Sequence, residues 1–174
     1  NNKIMSNNNI QEVVAIIDRS GSMSGKEEDT IGGINATFEV IKESLQENET
    51  VKVSIKLFDH EEVMLVRSID IKEVRPIEKR QYQPRGQTAL YDAIGNSLSY
   101  FMEKKLKDPN AYTKCLVYVV TDGMENSSKN FNSNNLKELI TSAQENYNIE
   151  LIYLAANQDA IFEASKMGIA PTHA

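Results

Sequence analysis

"VVAIIDRSGSM", running from Val13 to Met23, passes without a break from apolar residues into Asp18 and then through Arg19, Ser20, Gly21 and Ser22. The run Val13–Ile17 is short, rich in β-branched residues and not alternating, the pattern of a strand covered on both faces of a sheet. A buried strand ending on a carboxylate, with hydroxyls at alternate positions just beyond, raises the question of what those oxygens serve.

Outward from this stretch, "CLVYVVT" (115–121) and "IELIYLAA" (149–156) have the same character and read as further buried parallel strands. "VKVSIKLF" (51–58) alternates through Val51, Val53, Ile55 and Leu57. After the turn-like "DHEE" comes "VMLVRSI" (63–69), so this pair reads as an antiparallel hairpin at a sheet edge, with Lys52 and Lys56 as edge protection. Helical stripes lie between the strands: Ile31, Ile34, Phe38, Ile41 and Leu45; Leu90, Ile94, Leu98 and Phe101, stopping by "KDPN"; Leu136, Leu139, Ile140 and Ala143; and Ile161, Ala164 and Met167. The alternation predicts an α/β, Rossmann-like three-layer sandwich: a mostly parallel central sheet, an antiparallel edge hairpin, and helices on both faces.

At 174 residues the chain reads as one domain preceded by a polar, Asn-rich tail over residues 1–10. It shows no signal-peptide pattern and no apolar run near the ~20 residues a membrane span requires, so a cytoplasmic protein is expected. The lone cysteine, Cys115, excludes an internal disulfide and reads as buried. A net charge of −6 argues against nucleic-acid and anionic-membrane partners, and the basic residues Arg75, Lys79, Arg80 and Arg85 read as a solvated loop.

In open α/β sheets ligands gather at the carboxyl ends of strands. Asp18 ends the first strand and Asp122, in "VVTDGM", ends a later one, so two like charges share a small region and repel unless a cation compensates them. Ser20 and Ser22 add hard oxygen donors, Gly21 permits a tight loop, and Thr88 in "RGQTALYDAI" stands just before the second helix. Carboxylates and hydroxyls without a neighbouring His or Cys favour Mg²⁺, with Mn²⁺ or Ca²⁺ as substitutes, over zinc. Each piece alone has a bland reading. Ser20 and Ser22 serve as turn caps, Thr88 as a helix N-cap and Asp122-Gly123 as a turn pair. Glu125, Asn126 and Asp92 have two readings, support of the site from behind its ligands or merely polar loop and first-turn residues, and the second is preferred.

Taken together, "DRSGSM", "GQTALYDAI" and "VVTDGMEN" resemble the D-x-S-x-S motif, the threonine loop and the second aspartate motif of von Willebrand factor type A (VWA) domains, small microbial ones in overall look. The resemblance spans about Gln11 to Gly168. It implies a metal-ion-dependent adhesion site with Asp18, Ser20, Ser22, Thr88 and Asp122 as ligands. Such domains usually carry another helix, often a strand too, after the segment matching residues 149–169, so residues 11–174 are expected to form a single VWA domain without that last helix.

The expected function is a protein-binding module whose metal ion accepts a Glu or Asp carboxylate of a partner protein; Arg19 and Arg85 beside the metal loops either reinforce that acidic ligand or are merely solvent-exposed, the second reading being preferred. A Mg²⁺-dependent phosphohydrolase is the alternative from another class. It lacks a carboxylate two residues after Asp18, where Ser20 stands, and shows no evident lysine for the phosphate. Serine hydrolysis is disfavoured because His60, in the hairpin turn, and His173, near the end, are not expected near Ser20 or Ser22. A third alternative is a metal that only braces the loops.

Overall fold

The computed structural model describes residues 9–155, 158–169 and 171–173. Six strands, β1 (Asn9–Asp18), β2 (Glu49–Phe58), β3 (Glu62–Asp70), β4 (Lys114–Thr121), β5 (Ile149–Ala155) and β6 (Pro171–His173), form one sheet in the order β3-β2-β1-β4-β5-β6. Every neighbouring pair is parallel except β2–β3, the edge hairpin. Helices α1 (Glu27–Glu43), α2 (Leu90–Lys107), α3 (Ser133–Asn146) and α4 (Gln158–Lys166) cover the faces. This is the α/β sandwich that the alternation of apolar runs and helical stripes predicts.

The pleat of β1 explains the two-sided core. Val14 and Ile16 point to one face, where they pack with Leu90, Ile94, Leu98 and Phe101 of α2, Leu136 and Ile140 of α3, and Ala160 and Ala164 of α4. Val13, Ala15 and Ile17 point to the other and meet Ile34 and Phe38 of α1. A continuous apolar run is therefore what a strand at the centre of three layers requires, each large side chain contributing about 1.5–3 kcal/mol by leaving water.

Three local features depart from the sequence reading. Residues 1–8 of the expected tail lie outside the described residues, but Asn9 and Ile10 already belong to β1, paired with Glu49 and Thr50. Three-residue β6, which has no apolar pattern to mark it, adds a parallel strand beside β5. Lys56 does not guard an edge. It is 6% exposed, its ammonium lies 2.7 Å from Glu62, and burial pushes its pKa down against the pull of that carboxylate.

The irregular stretch after β3 is a covering layer. Single 3-10 turns at Ile71–Glu73 and Lys79–Gln81 bend it so that Ile71, Val74, Ile77 and Tyr82 close the α1 side of the core, while Arg75, Lys79 and Arg80 face solvent. No helix among the described residues is long and apolar enough to cross a membrane.

β1 lies between β2 and β4, and the chain leaves β1 for β2 but reaches β4 only after the hairpin and α2. Strand order thus reverses beside β1, and the crevice expected there opens at the carboxyl ends of β1 and β4. Asp18 and Asp122 stand at those two ends.

Candidate metal centre

Asp18 has no exposed surface, and each carboxylate oxygen is engaged. One accepts the Ser20 N–H at 2.7 Å, which folds the loop back over the strand end; the other accepts the Thr121 hydroxyl at 2.7 Å, which ties β1 to β4. The buried hydroxyl of Tyr82 donates to the Asp18 carbonyl. Burial pushes the Asp18 carboxyl above its ordinary value; the bonds from Ser20 and Thr121 oppose the rise, and nearby Asp122 adds to it.

Beyond Asp18, three oxygens form a chain. Ser20 Oγ lies 3.2 Å from Ser22 Oγ, and the Ser22 hydroxyl donates to Asp122 Oδ1 at 2.9 Å. In an octahedron with metal–oxygen distances of about 2.1 Å, adjacent ligands stand about 3 Å apart. The spacing of these oxygens fits the edges of such an octahedron. Ser20 and Asp122 are buried and Ser22 between them is exposed, so the chain meets the surface at its middle member. The serines are not turn caps: Ser20 precedes the 3-10 turn Gly21–Met23 without a side-chain capping bond.

Thr88 is buried one residue before Ala89, the N-cap of α2, so it does not cap that helix. Its position comes from the loop after β4: Thr88 N–H donates to Asn126 Oδ1 at 2.8 Å, and Asn126 N–H returns a bond to the Thr88 carbonyl at 2.9 Å. On the other side, the Gly86 carbonyl accepts the Gly21 N–H at 3.0 Å. The three segments carrying the predicted ligands are therefore stitched together by backbone and amide hydrogen bonds.

Residues read as polar loop have defined tasks here. Glu125 accepts from the Tyr91 N–H at 2.9 Å and from Ser128 N–H and hydroxyl. Asp92 accepts the N–H groups of Lys129, Asn130 and Phe131 at 2.8–3.0 Å, anchoring the loop after Asp122 onto α2. Buried Glu163 of α4 accepts the Tyr91 hydroxyl at 2.6 Å and the Glu125 N–H at 2.7 Å. Apart from the local Ser128–Glu125 bonds, these contacts join distant positions, at separations of 34, 38 and 72 residues for Tyr91–Glu125, Glu125–Glu163 and Tyr91–Glu163. No local pattern signals such bonds.

Lys26, absent from the sequence reading of the site, stands at its mouth. Its Nζ lies 2.8 Å from Asp122 Oδ2 and donates to the Ser22 carbonyl at 2.9 Å. A lysine beside the aspartates is thus present after all, although the position two residues after Asp18 is still Ser20.

A second group, Asp59, His60 and Glu61, brings potential ligand atoms within 4.8 Å of one another. Its charge is already met. Buried Asp59 accepts Nε of both Arg19 and Arg85 at 2.9 Å, and Arg85 also reaches Glu61 at 2.5 Å. The two arginines are therefore not simply solvated: Arg85 fastens the threonine loop, and Arg19 the loop after β1, to the end of β2. His60 lies against Gly86, nearer the metal loops than a hairpin-turn residue is expected to be.

A family model described as the von Willebrand factor type A domain matches residues 12–174. A search of curated proteins finds no match. Solved structures similar in fold include the manganese-loaded TRAP protein of Plasmodium vivax (20% identity, TM-score 0.63, covering 97% of this chain and 69% of that one). Another is the proximal thread matrix protein 1 of the mussel byssus with a zinc-occupied MIDAS motif (13% identity, TM-score 0.59, covering 96% and 42%). A third is the ArnB paralog VWA2 of Sulfolobus acidocaldarius (17% identity, TM-score 0.59, covering 94% and 40%). The chain spans about two fifths of the length of the archaeal and mussel proteins.

Proposed function

The chain belongs to the von Willebrand factor type A family, and from that premise we propose that it is a metal-dependent protein-binding module holding Mg²⁺, or Mn²⁺ in its place, at Asp18, Ser20, Ser22, Thr88 and Asp122. The observation that carries this reading is the run Ser20 Oγ–Ser22 Oγ–Asp122 Oδ1, with steps of 3.2 and 2.9 Å, spaced as ligands on an octahedron and open to solvent at Ser22. The manganese and zinc held by two proteins of this fold support it.

A dication held by these residues would supply residual positive charge attractive to an outside carboxylate. The chain's own residues do the rest. Asp18 orients the serine loop through the Ser20 N–H and, with Asp122, contributes the negative charge that retains the ion. The hydroxyls of Ser20, Ser22 and Thr88 complete the oxygen set without adding charge, so the ion stays electrophilic toward an acidic ligand. The Asn126 and Gly86 bonds hold the threonine loop at a fixed distance from both aspartates.

Binding is favoured over phosphoryl transfer. Phosphoryl transfer with Asp18 as nucleophile needs an acid/base carboxylate two residues later, and that position is Ser20, whose hydroxyl meets Ser22. The test is capture of partner proteins with Mg²⁺ and with EDTA, comparing wild type with Asp18→Ala. A ligand retained only by the metal-loaded wild type, and competed by a Glu- or Asp-containing peptide, supports the proposal. Retention unaffected by EDTA would leave the metal a brace, and phosphate release lost in Asp18→Asn would make the protein an enzyme.

A further inference from the structure

We infer that Lys26 is a tethered counter-cation of the metal centre, occupying Asp122 when no ion is bound and thereby setting how tightly the site holds one. The inference rests on the metal-site reading above and extends it to a residue outside the ligand set.

Geometry carries the argument. The Lys26 ammonium touches two of the three parts that must come together around an ion: Asp122 Oδ2 at 2.8 Å and the carbonyl of Ser22 at 2.9 Å. With Oδ1 accepting from the Ser22 hydroxyl, both oxygens of Asp122 are satisfied. Asp122 is 3% exposed, and a carboxylate so far from water requires a compensating charge. Lys26 provides it from a side chain still 45% exposed, with a solvated route away from the site. Its backbone stands at the N-cap of α1, four residues after Ser22, so the stem swings from a fixed base.

Two cations of the same sign compete for one carboxylate. An incoming dication meets the ammonium either as a rival for Asp122 Oδ2 or, if the ammonium moves outward, as a repelling neighbour a few ångströms away. Both routes weaken metal binding, and a like charge at that range in a solvated setting is worth about tenfold in affinity. Without the metal, the same lysine clasps the serine loop to the Asp122 loop.

The test is a Mn²⁺ titration, read from the EPR signal of the free ion, on wild type, Lys26→Met and Lys26→Arg, together with thermal unfolding of each in EDTA. Lys26→Met keeps the apolar stem and removes the charge. The expected result is about tenfold tighter Mn²⁺ binding in Lys26→Met, near-wild-type affinity in Lys26→Arg, and a lower melting temperature for Lys26→Met in EDTA. Binding by Lys26→Met alone would support the inference in its strongest form. Equal or weaker binding by Lys26→Met, or an unchanged melting temperature in EDTA, would overturn it while leaving the metal site intact. Absence of Mn²⁺ binding in every protein at millimolar ion would overturn both.

Discussion

Thr88 and Asn126 exchange two hydrogen bonds, N–H to Oδ1 at 2.8 Å and N–H to carbonyl at 2.9 Å, joining the threonine loop to the loop that follows Asp122. Neither residue packs a large side chain, so the pair acts by position. Asn126→Ala removes the acceptor of a part-buried N–H, and a loss of about 1–3 kcal/mol in urea unfolding is expected. Thr88 is then held only by the backbone bonds from the Asn126 and Ser127 N–H groups to its carbonyl, and Mn²⁺ affinity should fall about tenfold. Unchanged affinity would mean that the Asn126 side chain does not position Thr88 for the site.

Asp18 should cost the metal-free protein stability. Burial raises its carboxyl above the ordinary value, so between the ordinary value and the raised one the folded chain binds more protons than the unfolded chain. Stability in EDTA therefore falls as pH rises through that window and stays lower above it. Asp18→Asn keeps the shape, accepting from Ser20 and donating to Thr121, without the charge. The variant is expected to melt above wild type in EDTA near neutral pH, to lose that slope, and to gain nothing from Mn²⁺. A lower melting temperature than wild type would contradict the account.

Gly86 takes a φ of +71°, and a Cβ there would stand 2.4 Å from His60 Nδ1. Gly86→Ala combines a strained backbone with a clash and should cost about 1–3 kcal/mol. Its carbonyl also receives the Gly21 N–H, so Mn²⁺ affinity should drop with stability. Restoration of stability by His60→Ala in the same chain would assign the cost to the clash; persistence of the loss would assign it to the backbone.

Cys115 is fully buried in β4, and burial, with a smaller contribution from nearby Glu12, pushes its thiol far above the usual range. The native protein should resist thiol-directed alkylation at neutral and mildly alkaline pH and react fully once unfolded in urea. Rapid labelling of the folded protein would show that β4 opens locally.

What the sequence makes legible follows from the range of the interactions involved. The strand through Val13–Ile17 and the stripe Leu90–Ile94–Leu98–Phe101 repeat at the period of their own element, so pattern reveals both the element and its buried face. Asp18, Ser20, Ser22, Thr88 and Asp122 could be gathered because each stands at a strand end or helix entrance within a recognisable motif. Tyr82, Asn126, Glu163 and Lys26 could not. Their partners are fixed only when distant segments meet, as with the 64 residues separating Tyr82 from Asp18. The short β6 escaped for a related reason: its pairing with Tyr153–Ala155 depends on neighbouring β5, not on any periodicity of Pro171–His173.

The central claim, one hard dication held by oxygens from three separated segments, is tested most directly by anomalous scattering at the manganese edge from crystals grown in MnCl₂. The account predicts a single strong peak in direct contact with Ser20 Oγ and Ser22 Oγ and beside Asp122, with the Lys26 ammonium withdrawn. A peak lying instead among Asp59, His60 and Glu61, or no peak at the ends of β1 and β4, would contradict it.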